Sequence, residues 1–419
     1  MDVYLHSQLA GYLSQDGDGL LSFTYADDYL SAVHVLPLSH SLPLRSETFT
    51  SGECRGFFSG ILPEGEKREI IARNLGISAR NDFSMLERIG GECAGAITFI
   101  PAGEAFPHGA VQYRSLSEKE LAGVLRDLPR RPLLAGDGRV RLSLAGAQDK
   151  IAICIEDGTK SIPLGLAPST HIIKPDIPHY PGIVHNESLC MRLAKRIGLD
   201  VAQVETQTVE GIDYLLVERY DRTPSTDKKM AEGSSHFVRI HQEDFCQAMG
   251  IVSEKKYQNE GGPSITDCFN LLRDVSDVPV LDLQRLLDAI IYNFLIGNND
   301  AHGKNFSFLY SHSPVTGDFT VRLAPLYDLV CTRHYPDLSQ QMAMAIVKYK
   351  SDRILPGHFE QMADECGLSK SLVKKRVIAV AQIILEQIDN VITDHPVSGD
   401  VASWIRKHTK STLQQFQRK

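Results

Sequence analysis

The eight cysteines of this 419-residue chain are scattered, without a single CxxC pair. Neither a thiolate zinc site nor a disulfide framework is indicated, and a reducing cytoplasm is the natural setting. Long hydrophobic runs are missing too: no apolar stretch reaches the ~18 residues that suggest a membrane helix. The amino terminus, "MDVYLHSQLAGYLSQDG", lacks the basic-then-apolar order of a secretory signal. Positive charge is not in excess. Lys and Arg number 44 against 52 Asp and Glu, a formal net charge of −8, which argues against broad affinity for nucleic acid while allowing a local basic face. Internal repeats and low-complexity tracts are absent, and the 15 His form no ligand-spaced cluster. What is present is a core-forming composition, 42% hydrophobic and 23% charged, long enough for two or three domains.

Three regions can be read along the chain. Residues 1–105 look like a compact α+β unit. "VYLHSQLAGYLSQDGDGLLSFTY" reads as two short strands joined by a DG-containing turn. "RGFFSGILPEGEKREIIARNLGI" turns helical around its charged centre, and "CAGAITFI" closes with a strand. Residues 106–222 begin with a polar linker and a short helix, "LSEKELAGVLRDL", and then become strand-rich. "AICIEDGTKSIPLG" is a hairpin turning at Asp157-Gly158, "THIIKPD" a strand ending at Lys174 and Pro175, and "VETQTVEGIDYLLVERYD" a hairpin turning at Glu210-Gly211. Between them, "NESLCMRLAKRIGLD" is a helix with Asn186 offered as N-cap and Leu189, Leu193 and Ile197 on one face. Residues 223–419 are mainly helical. The clearest helix, "VLDLQRLLDAIIYNFLIG", stops at Gly297. Two strands, "NFSFLY" and "DFTVRLAPLYD", follow, joined by "SHSPVTG", and residues 355–419 are helical again.

The stretch "GNNDAHGKNF" lies directly between that buried helix and the first of those strands. Taken singly, each polar residue here has a bland reading. A strand-end Lys174 is usually solvated, Asp-Ala-His-Gly usually ends a helix, Asp328 could cap, and Glu187 suits the first turn of a helix through the dipole alone. Taken in order, Lys174, Glu187, Asp300-x4-Asn305, a strand pair and Asp328 supply what phosphoryl transfer needs. Those parts are a Lys for the nucleotide phosphates, a carboxylate to orient it, an Asp facing the attacking hydroxyl, and an Asn and an Asp to hold Mg2+ through hard oxygens.

The motifs "FFSGILPEGE", "ERIGGECAGAITF", "SLAGAQDK", "HIIKPD", "NESLCMRLAKRIGLDV", "LLVERYDR", "RIHQEDFCQAMG", "GNNDAHGKNFSF" and "LAPLYDLV" resemble, nearly end to end, the HipA family of protein serine/threonine kinases, the toxin half of bacterial HipBA toxin–antitoxin pairs. The resemblance implies an α+β, two-lobed protein-kinase-like fold with an added amino-terminal α+β subdomain and an all-α carboxy-terminal lobe. It implies that Lys174 pairs the nucleotide phosphates, that Asp300 is the catalytic aspartate, and that Asn305 and Asp328 hold Mg2+. Main-chain groups around Glu218, Arg219 and Tyr220 would hold the adenine of ATP, and His302 and Lys304 would line the catalytic loop. Glycine-rich cover of the phosphates is missing. In its place stands "SLAGAQDK", by itself an ordinary loop between strands; the resemblance implies that Ala145, Gly146, Ala147, Gln148, Asp149 and Lys150 form the phosphate loop and that Ser143 is the position of autophosphorylation. The stretch "PDIPHYPGIVHN", between Lys174 and Glu187, is shorter than in the family's best-known member, near where protein substrates dock.

The activity so implied is transfer of the γ-phosphoryl group of ATP to Ser or Thr of a protein, in family members an aminoacyl-tRNA synthetase such as glutamyl-tRNA synthetase, which arrests translation and growth. A HipB-type antitoxin is the implied partner, with DNA reached through that complex and no membrane involved. A catalytically silent ATP-binding regulatory subunit and a small-molecule kinase are the competing readings. The intact Lys174, Asp300, Asn305 and Asp328 oppose the first, and the amino-terminal extension with "SLAGAQDK" opposes the second. The amino-terminal unit is expected to supply docking for partner or antitoxin and no catalytic group.

Overall fold

The computed structural model describes residues 1–107, 111–225, 236–312, 318–347 and 354–418. In chain order the elements begin with strands β1 (Asp2–Leu5), β2 (Gln8–Gln15) and β3 (Leu21–Tyr25), helices α1 (Asp27–Ser31), α2 (Ser51–Gly60), α3 (Gly65–Leu75) and α4 (Asp82–Ile89), and strand β4 (Ile97–Ile100). Then come β5 (Gln112–Ser115), α5 (Glu118–Asp127), β6 (Ile151–Glu156), β7 (Thr159–Leu164), β8 (His171–Pro175), α6 (Ile183–Arg196), β9 (Val204–Val209), β10 (Ile212–Glu218), β11 (Arg222–Pro224), β12 (Phe237–Arg239), β13 (His241–Asp244) and α7 (Phe245–Ala248). The chain ends with α8 (Ile265–Val275), α9 (Pro279–Ile296), β14 (Ser307–His312), β15 (Phe319–Leu323), α10 (Pro356–Glu365), α11 (Lys370–Gln387) and α12 (Pro396–Gln417).

These elements form two compact units. The first holds Met1–Pro175, Gln207–Glu254 and Leu309–Thr320; the second holds Asp176–Thr206, Lys255–Phe308 and Val321–Lys419. The expected borders at 105 and 222 do not coincide with them: α6, expected in the strand-rich lobe, belongs to the second unit, and residues 1–105 share the first.

In the first unit one sheet runs β3-β2-β1-β4 and a larger one β5-β7-β6-β8-β10-β9. The amino-terminal hairpin expected from the sequence is a three-stranded meander. Its extra turn rests on His6, which takes a left-handed φ of 57° between β1 and β2. Both later hairpins turn where Asp157-Gly158 and Glu210-Gly211 carry positive φ at two successive residues, the geometry that matches strand twist in a two-residue loop. The phenylalanines Phe23, Phe49, Phe58 and Phe99 fill the core below the small sheet.

In the second unit α9 is the central element, buried along Leu286–Ile296. Gly297 ends it in the left-handed conformation, φ 70°, and a Cβ there would lie 2.5 Å from the Trp404 ring, so only glycine fits. The start of β14 lies against the end of β15, where the Ala324 amide donates to the Ser307 carbonyl at 2.8 Å. The joining stretch "SHSPVTG" lies largely outside the described residues. All eight cysteines are unpaired and buried. Among the described residues no helix is long and apolar enough to cross a membrane.

Candidate active site

The predicted residues fall into two groups, one in each unit. In the second unit the chain leaves α9 at Gly297 and runs through Asn298, Asn299 and Asp300 into a single 3-10 turn at Gly303–Asn305. Asn298 organises this loop from a buried position. Its Nδ2 donates to Asn293 Oδ1 at 2.8 Å and to the Asp328 carbonyl at 3.2 Å, and its Oδ1 accepts from the Asp300 amide at 3.2 Å. One side chain therefore fixes the backbone of both aspartates. A second tie runs through Tyr327, whose hydroxyl donates to the Lys304 carbonyl at 2.6 Å and lies 2.7 Å from Ser307 Oγ.

Asn305 turns its Oδ1 to the His302 amide at 3.1 Å, closing the loop on itself. His302 and Lys304 are buried. Asp328 is half-buried and held at φ 54°, a left-handed conformation uncommon outside glycine and more open to Asp than to most residues. Asp300 is exposed. Its Oδ1 accepts from the Tyr257 hydroxyl at 2.9 Å, and both residues line a cleft of about 390 Å3 together with Glu260, Asn299, Met342 and Ala343. Glu187 is buried on α6. Its neighbour Asn186 does not cap that helix, which begins earlier at Ile183 after Gly182. Instead Asn186 accepts from the Cys331 amide at 2.9 Å and donates to the Cys331 carbonyl at 3.0 Å, fastening α6 to the segment just past Asp328.

In the first unit the three neighbouring strands β6, β8 and β10 carry the remaining residues. Ile151, directly after the loop Ala145–Lys150, pairs with Ile173, and the next residue of β8, Lys174, pairs with Leu215 on β10 and is buried. Glu218 pairs with His171 at the opposite end of β8, so the stretch Glu218–Tyr220 leaves the sheet there. Arg219 is buried there. Its amide already donates to the Thr170 carbonyl at 2.9 Å, and its buried guanidinium is held by Asp221, Glu92, Ser169 and the Cys93 carbonyl. Arg219 is a framework residue. The Tyr220 hydroxyl is bonded to Gln242.

The loop itself is fixed. The Ser143 amide donates to the Glu92 carbonyl and its Oγ to the Ile61 carbonyl, both at 2.9 Å, and the residue is fully buried. Gly146 has φ 105°, and its carbonyl accepts from the Glu64 amide at 3.2 Å. Lys150 Nζ donates back to the Ala145 carbonyl at 2.7 Å. Asp149 pairs with Lys67 at 2.7 Å.

Known proteins match this chain over its whole length. The sequence model of the HipA-like C-terminal domain matches residues 142–389, and that of the HipA N-terminal domain matches residues 1–100. The serine/threonine-protein kinase toxin HipA of Shewanella oneidensis is 31% identical across 100% of this chain and 95% of its own. This chain belongs to the HipA family. A solved structure of Shewanella oneidensis HipA with HipB and operator DNA superposes with a TM-score of 0.82, covering 100% of this chain and 96% of that one at 31% identity. The fold is accordingly the kinase-like HipA fold, of mixed helix and sheet. Y4mE of Sinorhizobium fredii, which carries a provisional kinase name, is 44% identical over 94% of this chain and 92% of its own.

Among the residues that brace this site, Asn298, Tyr257 and Lys67 were not singled out from the sequence, and Asn186 was read only as an N-cap. Asn298 left a trace, since three amide or acid side chains in a row after a helix stop exceed what a cap requires. The others act across 43 to 145 residues of chain and leave no local pattern.

Proposed function

We propose that this protein is an ATP- and Mg2+-dependent serine/threonine protein kinase. The observation that carries this reading is the frame in the second unit: Asp300 and Asp328 bonded through one Asn298 side chain, Asn305 in the same loop, and the Asp300 carboxylate exposed at a cleft. The donor set suits the metal, because an amide oxygen and a carboxylate are hard oxygen ligands. Asn305 and Asp328 would hold Mg2+, which when bound neutralises charge on the phosphate oxygens. Asp300 would accept the proton of a substrate Ser or Thr hydroxyl as its oxygen bonds to the γ-phosphorus and the bond to the β-phosphate oxygen breaks, releasing ADP. Lys174 and the loop Ala145–Lys150 would hold the phosphates, with Glu187 orienting the lysine. The adenine would rest on main-chain groups around Glu218, Arg219 and Tyr220.

The wider reading follows the family. The partner would be a HipB-type antitoxin, reached by DNA through that complex, since the similar Shewanella chain was solved with HipB and operator DNA. The substrate would be an aminoacyl-tRNA synthetase, glutamyl-tRNA synthetase first among them, met in the cytoplasm. Residues 1–105 would form the coupling subdomain, 106–222 the strand-rich lobe and 223–419 the helical lobe.

Ser143 would be the autophosphorylation site and an off switch. A phosphate there removes the hydroxyl donor from the Ile61 carbonyl and sets about −1.5 to −2 charges against it. Being fully buried, Ser143 cannot keep its place once modified, so the loop must leave. Incubation with radiolabelled ATP and Mg2+ tests the whole reading. Label is expected on the protein at Ser143, and on an added synthetase, and on neither with the Asp300→Ala protein. Label that persists in that variant, or that appears only on a small molecule, would overturn it.

A further inference from the structure

We infer that Lys67, on the amino-terminal helix α3, is a positioning residue for the loop Ala145–Lys150, so that nucleotide affinity is set in part from outside the kinase-type region at 142–389. The inference rests on the reading of that loop as the phosphate cover. Lys67 closes the stretch "ILPEGEK", which runs into α3.

The loop is gripped along its length by residues of the first hundred. Ser143 is bonded to the carbonyls of Ile61 and Glu92, and Gly146 to the amide of Glu64. Pro63 and Gly146 lie side by side as a parallel bridge, as do Glu92 and Leu142. These contacts are between main chains or through one hydroxyl, so they specify a path and no particular side chain. Lys67 differs. Its Nζ lies 2.7 Å from Asp149 Oδ2, with the two side chains 16% and 11% exposed. The other oxygen, Asp149 Oδ1, is buried and accepts no hydrogen bond among the described residues. A carboxylate so placed is tolerated because a cation compensates it; without the cation it is driven toward water. The loop carries that carboxylate, so the loop must open. At Gly146 the loop holds φ 105°, a backbone conformation that side-chain-bearing residues rarely adopt.

Three variants of the full chain test this, read by hydrogen exchange of the peptide covering residues 143–150 and by MgATP affinity. Lys67→Met, one atom shorter and uncharged, should speed exchange of that peptide by at least tenfold and weaken MgATP by about tenfold. Lys67→Arg should restore both. Lys67→Met combined with Asp149→Asn should restore the protection of the loop, because the stranded charge is gone; a general loss of folding in Lys67→Met would not be repaired this way. Unchanged loop exchange in Lys67→Met overturns the inference, and if wild type still binds MgATP the kinase reading survives that result. Weaker MgATP with unchanged loop exchange also overturns it, since Lys67 would then act on the nucleotide directly. If wild type binds no MgATP yet the loop opens in Lys67→Met and closes in the double variant, the positioning role stands and the kinase reading falls.

Discussion

At the scale of single residues, the reactive group and the group that places it make different demands. Asp300 is exposed and bonded through Tyr257 and a backbone turn, so its carboxylate contributes little to packing. Asp300→Asn should therefore lower phosphoryl transfer by roughly 10²–10⁴-fold, the usual worth of a general base, with an unchanged melting temperature. Single-turnover labelling beside thermal unfolding would check both halves, and near-normal transfer would remove Asp300 from the reaction. Asn298 is the opposite case. It is buried, and Asn298→Ala would take the partner from Asn293 Oδ1 inside α9 and cut the ties to the Asp300 amide and the Asp328 carbonyl. A loss of about 1–3 kcal/mol of stability is expected, since buried polar groups left without partners cost that much. Transfer should fall as well, because both aspartates lose their shared anchor. A variant with lower stability but full turnover in the folded fraction would show that the two aspartates are placed by something else.

At the scale of elements, strand β13 carries two buried titratable groups pushed in opposite directions. Burial raises the Glu243 carboxyl to about 7, against the pull of hydrogen bonds from Ser39, Tyr310 and the His40 amide. Burial also lowers the His241 imidazole to about 4, while its Nε2 donates to the Leu38 carbonyl. Both grip the segment Leu36–Leu42. For Glu243 the folded value lies above the unfolded one, so its contribution is complete below about 4.5 and is lost as pH rises to about 7. For His241 the folded value lies below, so its contribution is present above about 6.5 and is lost as pH falls to about 4. The two slopes oppose one another across the same window. Glu243→Gln should leave the His241 slope exposed: melting temperature should rise with pH between about 4 and 6.5 more steeply than in wild type. Identical profiles would mean that Glu243 titrates normally. Nothing in the sequence announced β13. Its four residues have no alternating pattern of burial, and it lies with β11 and β12 in a region whose composition reads as helical. By contrast, the Asp157-Gly158 and Glu210-Gly211 hairpins and the Gly297 stop were legible, because each is fixed by a local backbone conformation that few residues accept. The same division holds for the site. Asp300-x4-Asn305 lies in one loop and could be read; the Asn298 bridge to Asp328 and the Asn186 bridge to Cys331 depend on tertiary contact and could not.

At the scale of the molecule, the first hundred residues, expected to supply docking, share a compact unit with 101–175 and 207–254. The bond that joins them is electrostatic and buried. Glu92 lies within 2.5–3.2 Å of the guanidinium nitrogens of Arg219, Arg222 and Arg239. Asp221 pairs with Arg219 and Arg222 and accepts from the Gly95 amide at 2.7 Å. Burial alone would raise the Glu92 carboxyl; the guanidiniums of Arg222, Arg239 and Arg219 overcome it and hold the group at about 2. Glu92→Gln removes one of two carboxylates facing three arginines, and breaking such a buried set typically costs about 3–5 kcal/mol. The folded value is depressed, so the lost stability is that present above about 4.5 and given up as pH falls toward about 2. Urea unfolding of Glu92→Gln should therefore show a deficit at neutral pH that shrinks on acidification. Removal of residues 1–100 should be worse, leaving Asp221 alone against Arg219 and Arg222, taking the carboxylate from Arg239, and taking away the carbonyls of Ile61 and Glu92 that hold Ser143. The truncated chain should not fold to a protein with protected amides in β10–β12. A soluble truncation that unfolds cooperatively in urea near the wild-type midpoint would show that the amino-terminal hundred are an appendage after all.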